Sequence, residues 1–144
     1  MSGFFVVDAS VAVKWVVPEE DTELASKLFN DATATDTHVL VPPHLPVEVT
    51  NALRKKTWRN ELTTSEADRA LQRFLGLDFR RSEPPGLYKR ALDLANQYDR
   101  RAVYDSHYVA LAEIVGCDLW TADSGIVNVM GQDLPFIKLL KNYE

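Results

Sequence analysis

Short apolar runs alternate with helical patterns along this chain, and the apolar runs are the candidate strands. In residues 4–7 every side chain is apolar, which is typical of a strand buried on both faces of a parallel sheet. Four further segments are predicted strands: 38–41, 77–80, 118–121 and 136–139. The pattern therefore predicts five strands.

Six segments between these strands are predicted helices: 10–17, 22–31, 46–60, 64–75, 87–98 and 104–115. The last of them has the clearest pattern, because Tyr104, Tyr108 and Leu111 share one face and Gly116 follows where a helix commonly ends. Strands that alternate with helices predict a parallel α/β sandwich. In such sheets ligands bind at the carboxyl ends of the strands, near the point where the strand order reverses.

Four acidic residues occur where this arrangement would bring them together. Asp8 follows the first predicted strand and Asp123 follows the fourth, while Glu48 and Asp105 lie in first turns of predicted helices. Carboxylates beside buried elements are costly and add nothing to a core. Four in one pocket would also repel one another unless a cation held them, so the pattern predicts a divalent-metal site.

The chemistry of carboxylate oxygens points to Mg²⁺ or Mn²⁺, which prefer oxygen ligands in octahedral geometry. Three or four carboxylates around one or two such ions suit phosphodiester hydrolysis. Ser10 and Thr121 lie beside these acids, and their hydroxyls could orient a carboxylate or a bound water.

The composition changes this picture little. The 144 residues predict one globular domain over 1–144, with 46% hydrophobic and 26% charged residues. A net charge of −5 disfavours binding of nucleic acid by bulk electrostatics, but it is compatible with a phosphodiester held through metal ions.

Several features predict a cytoplasmic protein. No apolar run approaches the roughly 20 residues that a membrane helix needs. The N-terminal segment has no basic region and is predicted to be a strand, not a signal peptide. Cys117 is the only cysteine, which excludes an internal disulfide and fits a reducing compartment.

Other interpretations stay open at this point. Each acid alone could be a helix cap or a solvated loop residue. Asp8 could be a phosphoryl-accepting nucleophile, although position 10 is Ser and not a second Asp. A non-catalytic binding module could also hold a metal for stability only.

The three histidines, His38, His44 and His107, do not have zinc-ligand spacing. Ser106 and His107 should point to different faces of their helix, which argues against a nucleophile–base pair. We expect His107 to point away from Asp105 and to lie on a surface or dimer face.

Four segments together resemble PIN-domain proteins of the VapC toxin type: VVDASVAVKW, PHLPVEVTNAL, YDSHYVALAE and TAD. The resemblance covers almost the whole chain and implies a PIN-like three-layer α/β/α sandwich with a five-stranded parallel sheet. It also implies an endoribonuclease that depends on Mg²⁺ or Mn²⁺. By position, the family's acidic residues match Asp8, Glu48, Asp105 and Asp123, and its first-motif hydroxyl matches Ser10.

The resemblance further implies a cognate antitoxin protein, an RNA substrate such as tRNA or rRNA, and a homodimer. Two places depart from the family pattern. Ser124 and Gly125 stand where relatives often have Arg or Lys, and His107 stands where a small residue is common.

Basic residues cluster near the end of the predicted helix 46–60: Arg54, Lys55, Lys56 and Arg59. Smaller clusters are Arg80–Arg81 and Arg100–Arg101. Such clusters are usually solvated faces, but the first cluster or Arg100–Arg101 could contact RNA phosphates or the antitoxin. The tryptophans Trp15, Trp58 and Trp120 are expected in the core or a partner groove and not as base-stacking platforms.

Overall fold

A five-stranded parallel sheet forms the centre of the structure, a computed structural model that describes residues 3–144. Its strands are β1 (Gly3–Val7), β2 (Thr37–Val41), β3 (Phe79–Arg81), β4 (Asp118–Thr121) and β5 (Ile137–Leu139). Their order is β3-β2-β1-β4-β5, and every neighbouring pair is parallel. The predicted parallel α/β architecture is confirmed.

Seven α-helices lie within residues 3–144: α1 (Ala9–Ala12), α2 (Thr22–Ala34), α3 (Leu45–Trp58), α4 (Thr64–Leu75), α5 (Leu87–Gln97), α6 (Tyr104–Val115) and α7 (Ser124–Met130). Two short 3₁₀-helices, Val13–Trp15 and Leu140–Asn142, follow α1 and β5. All predicted helices except the first agree with the structure to within a few residues.

The strand order reverses beside β1. From β1 the chain steps to β2 and β3 on one side, and then it crosses to β4 and β5 on the other. Right-handed crossovers therefore place α1–α4 on one face of the sheet and α5–α7 on the opposite face. The topological switch point lies between β1 and β4, where α/β proteins commonly bind ligands.

The core is centred on β1, β4 and α6. Val6, Val7 and Leu119 on the two strands are fully buried, and so are Val109 and Leu111 on α6. Helix α6 packs on both central strands and on α5, so most of its circumference is apolar. It ends at Gly116, whose φ of +81° is strained for residues with a Cβ.

The structure differs from the predicted elements in three places. The predicted helix 10–17 is α-helical only to Ala12 and then tightens into a 3₁₀ turn, ahead of Pro18. The predicted strand 77–80 begins later, because the Leu77 amide donates to the Phe74 carbonyl and continues the turn after α4. Helix α7 is missing from the prediction.

Helix α7 forms although its sequence has weak helical propensity. Gly125 lies in its first turn, and the helix is only seven residues long. It is stabilised by burial of Ile126 and Met130, one turn apart, and by the Asp123 carboxylate, which caps its N-terminus. Tertiary packing therefore decides this element.

At the N-terminus, Met1 and Ser2 lie outside the described residues, and the predicted first strand is present as β1. None of the helices in residues 3–144 is long and apolar enough to span a membrane.

Candidate functional site

The four acidic side chains predicted from the sequence are placed at the carboxyl edge of the sheet by different elements. Asp8 directly follows β1, and Asp123 lies two residues after the end of β4; these are the strands on either side of the switch point. Glu48 lies in the first turn of α3, just after β2. Asp105 lies in the first turn of α6, whose C-terminal end leads into β4, so its N-terminal end is at the carboxyl edge.

Two hydroxyl groups hold the Asp8 carboxylate. Ser10 donates a hydrogen bond to Asp8 Oδ1 at 2.5 Å, and Thr121 donates to Asp8 Oδ2 at 2.5 Å. The same hydroxyls accept hydrogen bonds from backbone amides just after β4. The Ala122 amide donates to Ser10 Oγ at 2.9 Å, and the Asp123 amide donates to Thr121 Oγ1 at 3.0 Å. Ser10 and Thr121 thus tie the ends of β1 and β4 together around Asp8.

Asp8 is only 4% exposed, and burial raises its pKa to about 6 from an ordinary 3.8. The hydrogen bonds from Ser10, Thr121 and the Val11 amide oppose this shift, while the negative charge of Asp105 adds to it. Asp8 is also the N-terminal cap of α1. The capping interpretation of this residue therefore holds, but capping alone does not require such deep burial.

Glu48 has a different environment. Tyr108 donates to Glu48 Oε1 at 2.5 Å, and His44 Nε2 lies 3.2 Å from the same oxygen. The Tyr104 carbonyl also lies within hydrogen-bond distance of His44 Nε2. Because a carboxylate and a carbonyl can only accept hydrogen bonds, His44 Nε2 must be the donor. Burial raises the pKa of Glu48, but the His44 and Tyr108 hydrogen bonds outweigh it and the pKa is lowered.

Asp105 is the acid that interacts with the other three. Burial raises its pKa, and the negative charges of Glu48 and Asp123 raise it further. Its own charge raises the pKa of Asp8. Arg100 Nη2, 3.7 Å from Asp105 Oδ2, opposes the shift. The mutual repulsion indicates that these carboxylates share one electrostatic environment.

Asp123 is exposed, and its Oδ1 accepts a hydrogen bond from the Gly125 amide at 2.8 Å as the cap of α7. Asp105 was a candidate cap as well, but Val103 holds the cap position of α6. The Asp105 carboxylate is therefore not required to begin its helix, and its partly buried position needs another explanation.

The donor set suits a hard divalent cation, because it consists of carboxylate oxygens that repel one another in the absence of a positive charge. In residues 3–144, however, no group of three His, Cys, Asp or Glu side chains is arranged tightly enough to hold a metal ion. Asp8 and Glu48 instead direct oxygens to hydrogen-bond donors of the protein. The four acids would have to change their side-chain conformations to close around an ion.

Tyr108, His44 and Arg100 are contacts of the acids that the sequence analysis did not assign. A signal existed for two of them: His44 precedes Glu48 by one helical turn, and Tyr108 follows Asp105 by three residues. Tyr108 was predicted only as an apolar core residue. It is almost fully buried, but its hydroxyl on α6 donates a hydrogen bond to Glu48 on α3.

The expectations for Ser106 and His107 are supported in part. Ser106 Oγ is buried and has no hydrogen-bond partner among the described residues, which excludes an activated nucleophile. His107 donates through Nδ1 to the Val103 carbonyl, at 2.8 Å. Its ring is half-buried between His44 and Tyr88, at centroid distances of 5.1 and 5.4 Å, so it is not a simple surface residue.

The tryptophans differ from one another. Trp15 and Trp120 pack against the core as expected. Trp58 is 75% exposed at the end of α3, with the Arg54 guanidinium 5.4 Å from its ring centroid. Trp58 therefore does not lie in the core, and a basic side chain stacks on it at the surface.

Comparison with known proteins identifies the family. The family model described as PIN domain matches residues 5–131. This chain belongs to the PIN-domain family. The resemblance seen in the four sequence motifs is thus confirmed.

Curated relatives within this family are VapC ribonucleases. The chain is 32% identical over 122 residues to "VapC ribonuclease Mb0985" of Mycobacterium bovis, covering 82% of this chain and 84% of that protein. It is 30% identical over 128 residues to "Ribonuclease VapC12" of Mycobacterium tuberculosis, covering 89% of this chain and 93% of the relative.

Solved structures confirm the PIN-like fold. PAE2754 from Pyrobaculum aerophilum aligns with a TM-score of 0.70 at 22% identity, covering 98% of this chain and 93% of that chain. Mycobacterium tuberculosis VapC20, described as a sarcin-ricin loop cleaving toxin, aligns with a TM-score of 0.61 at 16% identity, covering 82% and 87%. At these identities the likeness supports the fold alone.

Proposed function

We propose that this PIN-domain protein is an endoribonuclease dependent on Mg²⁺ or Mn²⁺, and the toxin of a toxin–antitoxin pair. The observation that carries the proposal is the repulsion centred on Asp105. Its carboxylate interacts unfavourably with Asp8, Glu48 and Asp123 at the topological switch point, so a cation there would relieve the repulsion. The VapC ribonucleases among the relatives support the choice of RNA.

In this proposal Asp8, Glu48, Asp105 and Asp123 hold the metal. A divalent ion held there would supply Lewis-acid activation of the scissile phosphodiester and of the attacking water. Asp123 is exposed and Asp105 is partly exposed, so both can be reached by a phosphate. Asp8 is the most deeply buried of the four acids.

The neighbouring side chains position these acids. Ser10 and Thr121 donate to the two oxygens of Asp8. The amides of Ala122 and Asp123 donate to the same hydroxyls and thereby fix their orientation. Tyr108 and His44 keep Glu48 ionised, as a metal ligand must be. Arg100 partly neutralises Asp105 and could contact a substrate phosphate once a cation takes over that task.

The structure disfavours Asp8 as a phosphoryl-accepting nucleophile. Both of its oxygens accept hydrogen bonds and the residue is almost fully buried, so an in-line approach to phosphorus is blocked.

We keep three finer predictions: the RNA is a tRNA or an rRNA, a cognate antitoxin binds the protein, and the protein is a homodimer.

The first experiment is cleavage of a total tRNA and rRNA pool with Mg²⁺, Mn²⁺ or EDTA. We expect discrete fragments that need the metal and that disappear in Asp8→Asn and Asp105→Asn, at least about 100-fold below the native rate. Lys89→Ala, an exposed site on α5, is the control. Full cleavage by either acid variant, with contaminating nucleases excluded, would contradict the proposal.

A second experiment measures metal binding without any RNA. We expect Mg²⁺ or Mn²⁺ to raise the melting temperature of the native protein and to have a smaller effect on Asp105→Asn, because a ligand stabilises the state that binds it. If both proteins respond to the metal equally, the ion binds elsewhere. Metal binding without turnover of any RNA would instead favour the non-catalytic binding module.

A further inference from the structure

A basic groove lies between α1 and α3 and adjoins the acidic site. Its volume is about 360 Å³, and its lining includes Ser10, which donates a hydrogen bond to Asp8, and Ala122, which precedes Asp123. Four cationic side chains line the rest: Lys14, Lys55, Lys56 and Arg59. Because Ser10 belongs to both the groove and the Asp8 network, the two features are continuous.

Two of the cations have structural partners. Glu19 is the carboxylate in the groove lining, and its oxygens bind Lys14 at 3.2 Å and Lys56 at 2.7 Å. Lys14 also donates to the Glu20 carbonyl at 2.6 Å and is nearly buried. Lys56 reaches Glu61 at 3.8 Å as well. These two lysines therefore stabilise the groove wall.

The other two cations are unpaired. Lys55 and Arg59 lie one turn apart on α3, both are exposed, and neither forms an ion pair with any residue between 3 and 144. They remain as a surplus of positive charge, in a protein whose net charge is −5. The dipole of α3 favours cations near its C-terminal end, where both residues lie. It does not explain why both side chains line a groove beside the acidic site.

The shape and charge of this groove fit a sugar-phosphate backbone. A nucleic acid whose scissile phosphate lies at the carboxylates must continue past one wall of the site, and the groove offers a cationic path there. Spaced cations along a concave surface are how proteins bind single strands without reading their sequence. An acidic protein segment would also be attracted, but nothing would require it to enter from the acidic end.

We propose that Lys55 and Arg59 bind backbone phosphates of the RNA next to the scissile phosphodiester. This inference rests on the proposed function, because it assumes that the bound polymer is RNA with one phosphate at the acidic site. The two side chains position the substrate and take no part in the chemical step.

The test measures RNA binding directly. The double variant Lys55→Ala/Arg59→Ala is made in the Asp105→Asn protein, so that bound RNA is not cleaved. Binding of a fluorescent single-stranded RNA is followed by anisotropy in Mg²⁺ at several salt concentrations. We expect about a tenfold loss of affinity, and a slope of log K against log salt that is smaller by about 1.4, or 0.7 for each lost phosphate contact.

The matched control is Lys27→Ala/Lys89→Ala, which removes the same charge from α2 and α5. Both lysines are exposed, both are paired with an aspartate one turn away, and neither lines the groove. The control should leave the salt slope unchanged. Equal losses in the two double variants would mean a general charge effect and would overturn the groove assignment, and so would an unchanged affinity in the Lys55/Arg59 variant.

Cleavage by otherwise native protein separates this inference from the proposed function. There the Lys55→Ala/Arg59→Ala variant should raise KM about tenfold and leave kcat nearly unchanged, since it removes binding shared by ground state and transition state. If the native chain cleaves no RNA but binds it through Lys55 and Arg59, the proposed function fails and the groove stands. If the native chain cleaves RNA but the variant has an unchanged KM, the proposed function is supported and the groove assignment fails.

Discussion

Asp8 and Glu48 lie at the same edge of the sheet, but their pKa values move in opposite directions. Asp8 accepts hydrogen bonds from Ser10, Thr121 and the Val11 amide, and its pKa is nevertheless raised to about 6 by burial. Among residues 3–144, Glu48 accepts from two side chains, Tyr108 and His44, and its pKa is lowered. The number of donors therefore does not decide the direction.

The depth of burial decides it. Asp8 is almost fully buried, so the free-energy cost of removing its charge from water exceeds the stabilisation that its hydrogen-bond donors provide. Glu48 keeps about a third of its side chain exposed, at 29%, and its two donors prevail. In the protein without metal, the raised pKa of Asp8 therefore favours its protonated form, while the lowered pKa of Glu48 favours its ionised form. A bound cation would favour the ionised form of both.

Among changes around these two acids, the largest effect on stability is expected from Thr121→Val. This isosteric change removes the hydroxyl that donates to Asp8 and accepts from the Asp123 amide, so the buried Asp8 carboxylate and the Asp123 amide each lose a partner. We expect the free energy of unfolding to fall by about 2–3 kcal/mol and RNA cleavage to fall by about 10–100-fold. Thr121→Ser, which keeps the hydroxyl, is the control. If Val and Ser behave alike in urea unfolding and in cleavage, the hydroxyl does not position Asp8.

Asp8→Asn should stabilise the protein at neutral pH when EDTA removes metal. Because the folded-state pKa of Asp8 is raised, its contribution to stability is complete below about pH 3.8 and is lost as the pH rises through about 6. The shift corresponds to at most about 3 kcal/mol. Imperfect hydrogen bonds of the amide should reduce the gain to about 1–2 kcal/mol.

Urea unfolding of the native protein and Asp8→Asn between pH 4 and 8 provides the measurement. The advantage of the variant should grow from pH 4 to pH 6 and then stay constant. An advantage that is the same at every pH would show that the charge of Asp8 is not its source. Adding Mg²⁺ at pH 7 should reduce the difference or reverse it, because the native acid can then bind the ion.

The smallest effect is expected from Tyr108→Phe, which removes one of the two donors to Glu48. We expect a loss of about 1 kcal/mol at pH 7. Since the folded-state pKa of Glu48 is lowered, the stability it contributes is present above about pH 4.5 and is lost as the pH falls through the folded pKa. The difference between variant and native protein should therefore shrink in acid.

Tyr88→Phe is the control, because it removes an exposed hydroxyl that donates to Glu83 and keeps the ring against His107. Unfolding curves at pH 4 and pH 7 distinguish the two variants. A loss in Tyr108→Phe that does not depend on pH would point to packing instead of the Glu48 contact.

Much of the fold could be predicted from local patterns. The apolar residues of β1, the spacing of Tyr104, Tyr108 and Leu111, and the terminal Gly116 all act within one element, so the sequence shows them directly. Helix α7 could not be predicted, because its stability depends on Ile126 and Met130 packing against a sheet that the local sequence does not reveal. The acids at strand ends were predicted by the same local reasoning.

The sequence by itself determined which residues could meet: the five parallel strands, and the acids Asp8, Glu48, Asp105 and Asp123 at their carboxyl edge. Hydrophobic periodicity and chain connectivity suffice for that. Only the tertiary structure decided how they meet. Burial and donors from distant segments, such as Thr121 beside Asp8 and Tyr108 beside Glu48, set the protonation of these two acids, because desolvation and hydrogen bonding depend on three-dimensional surroundings.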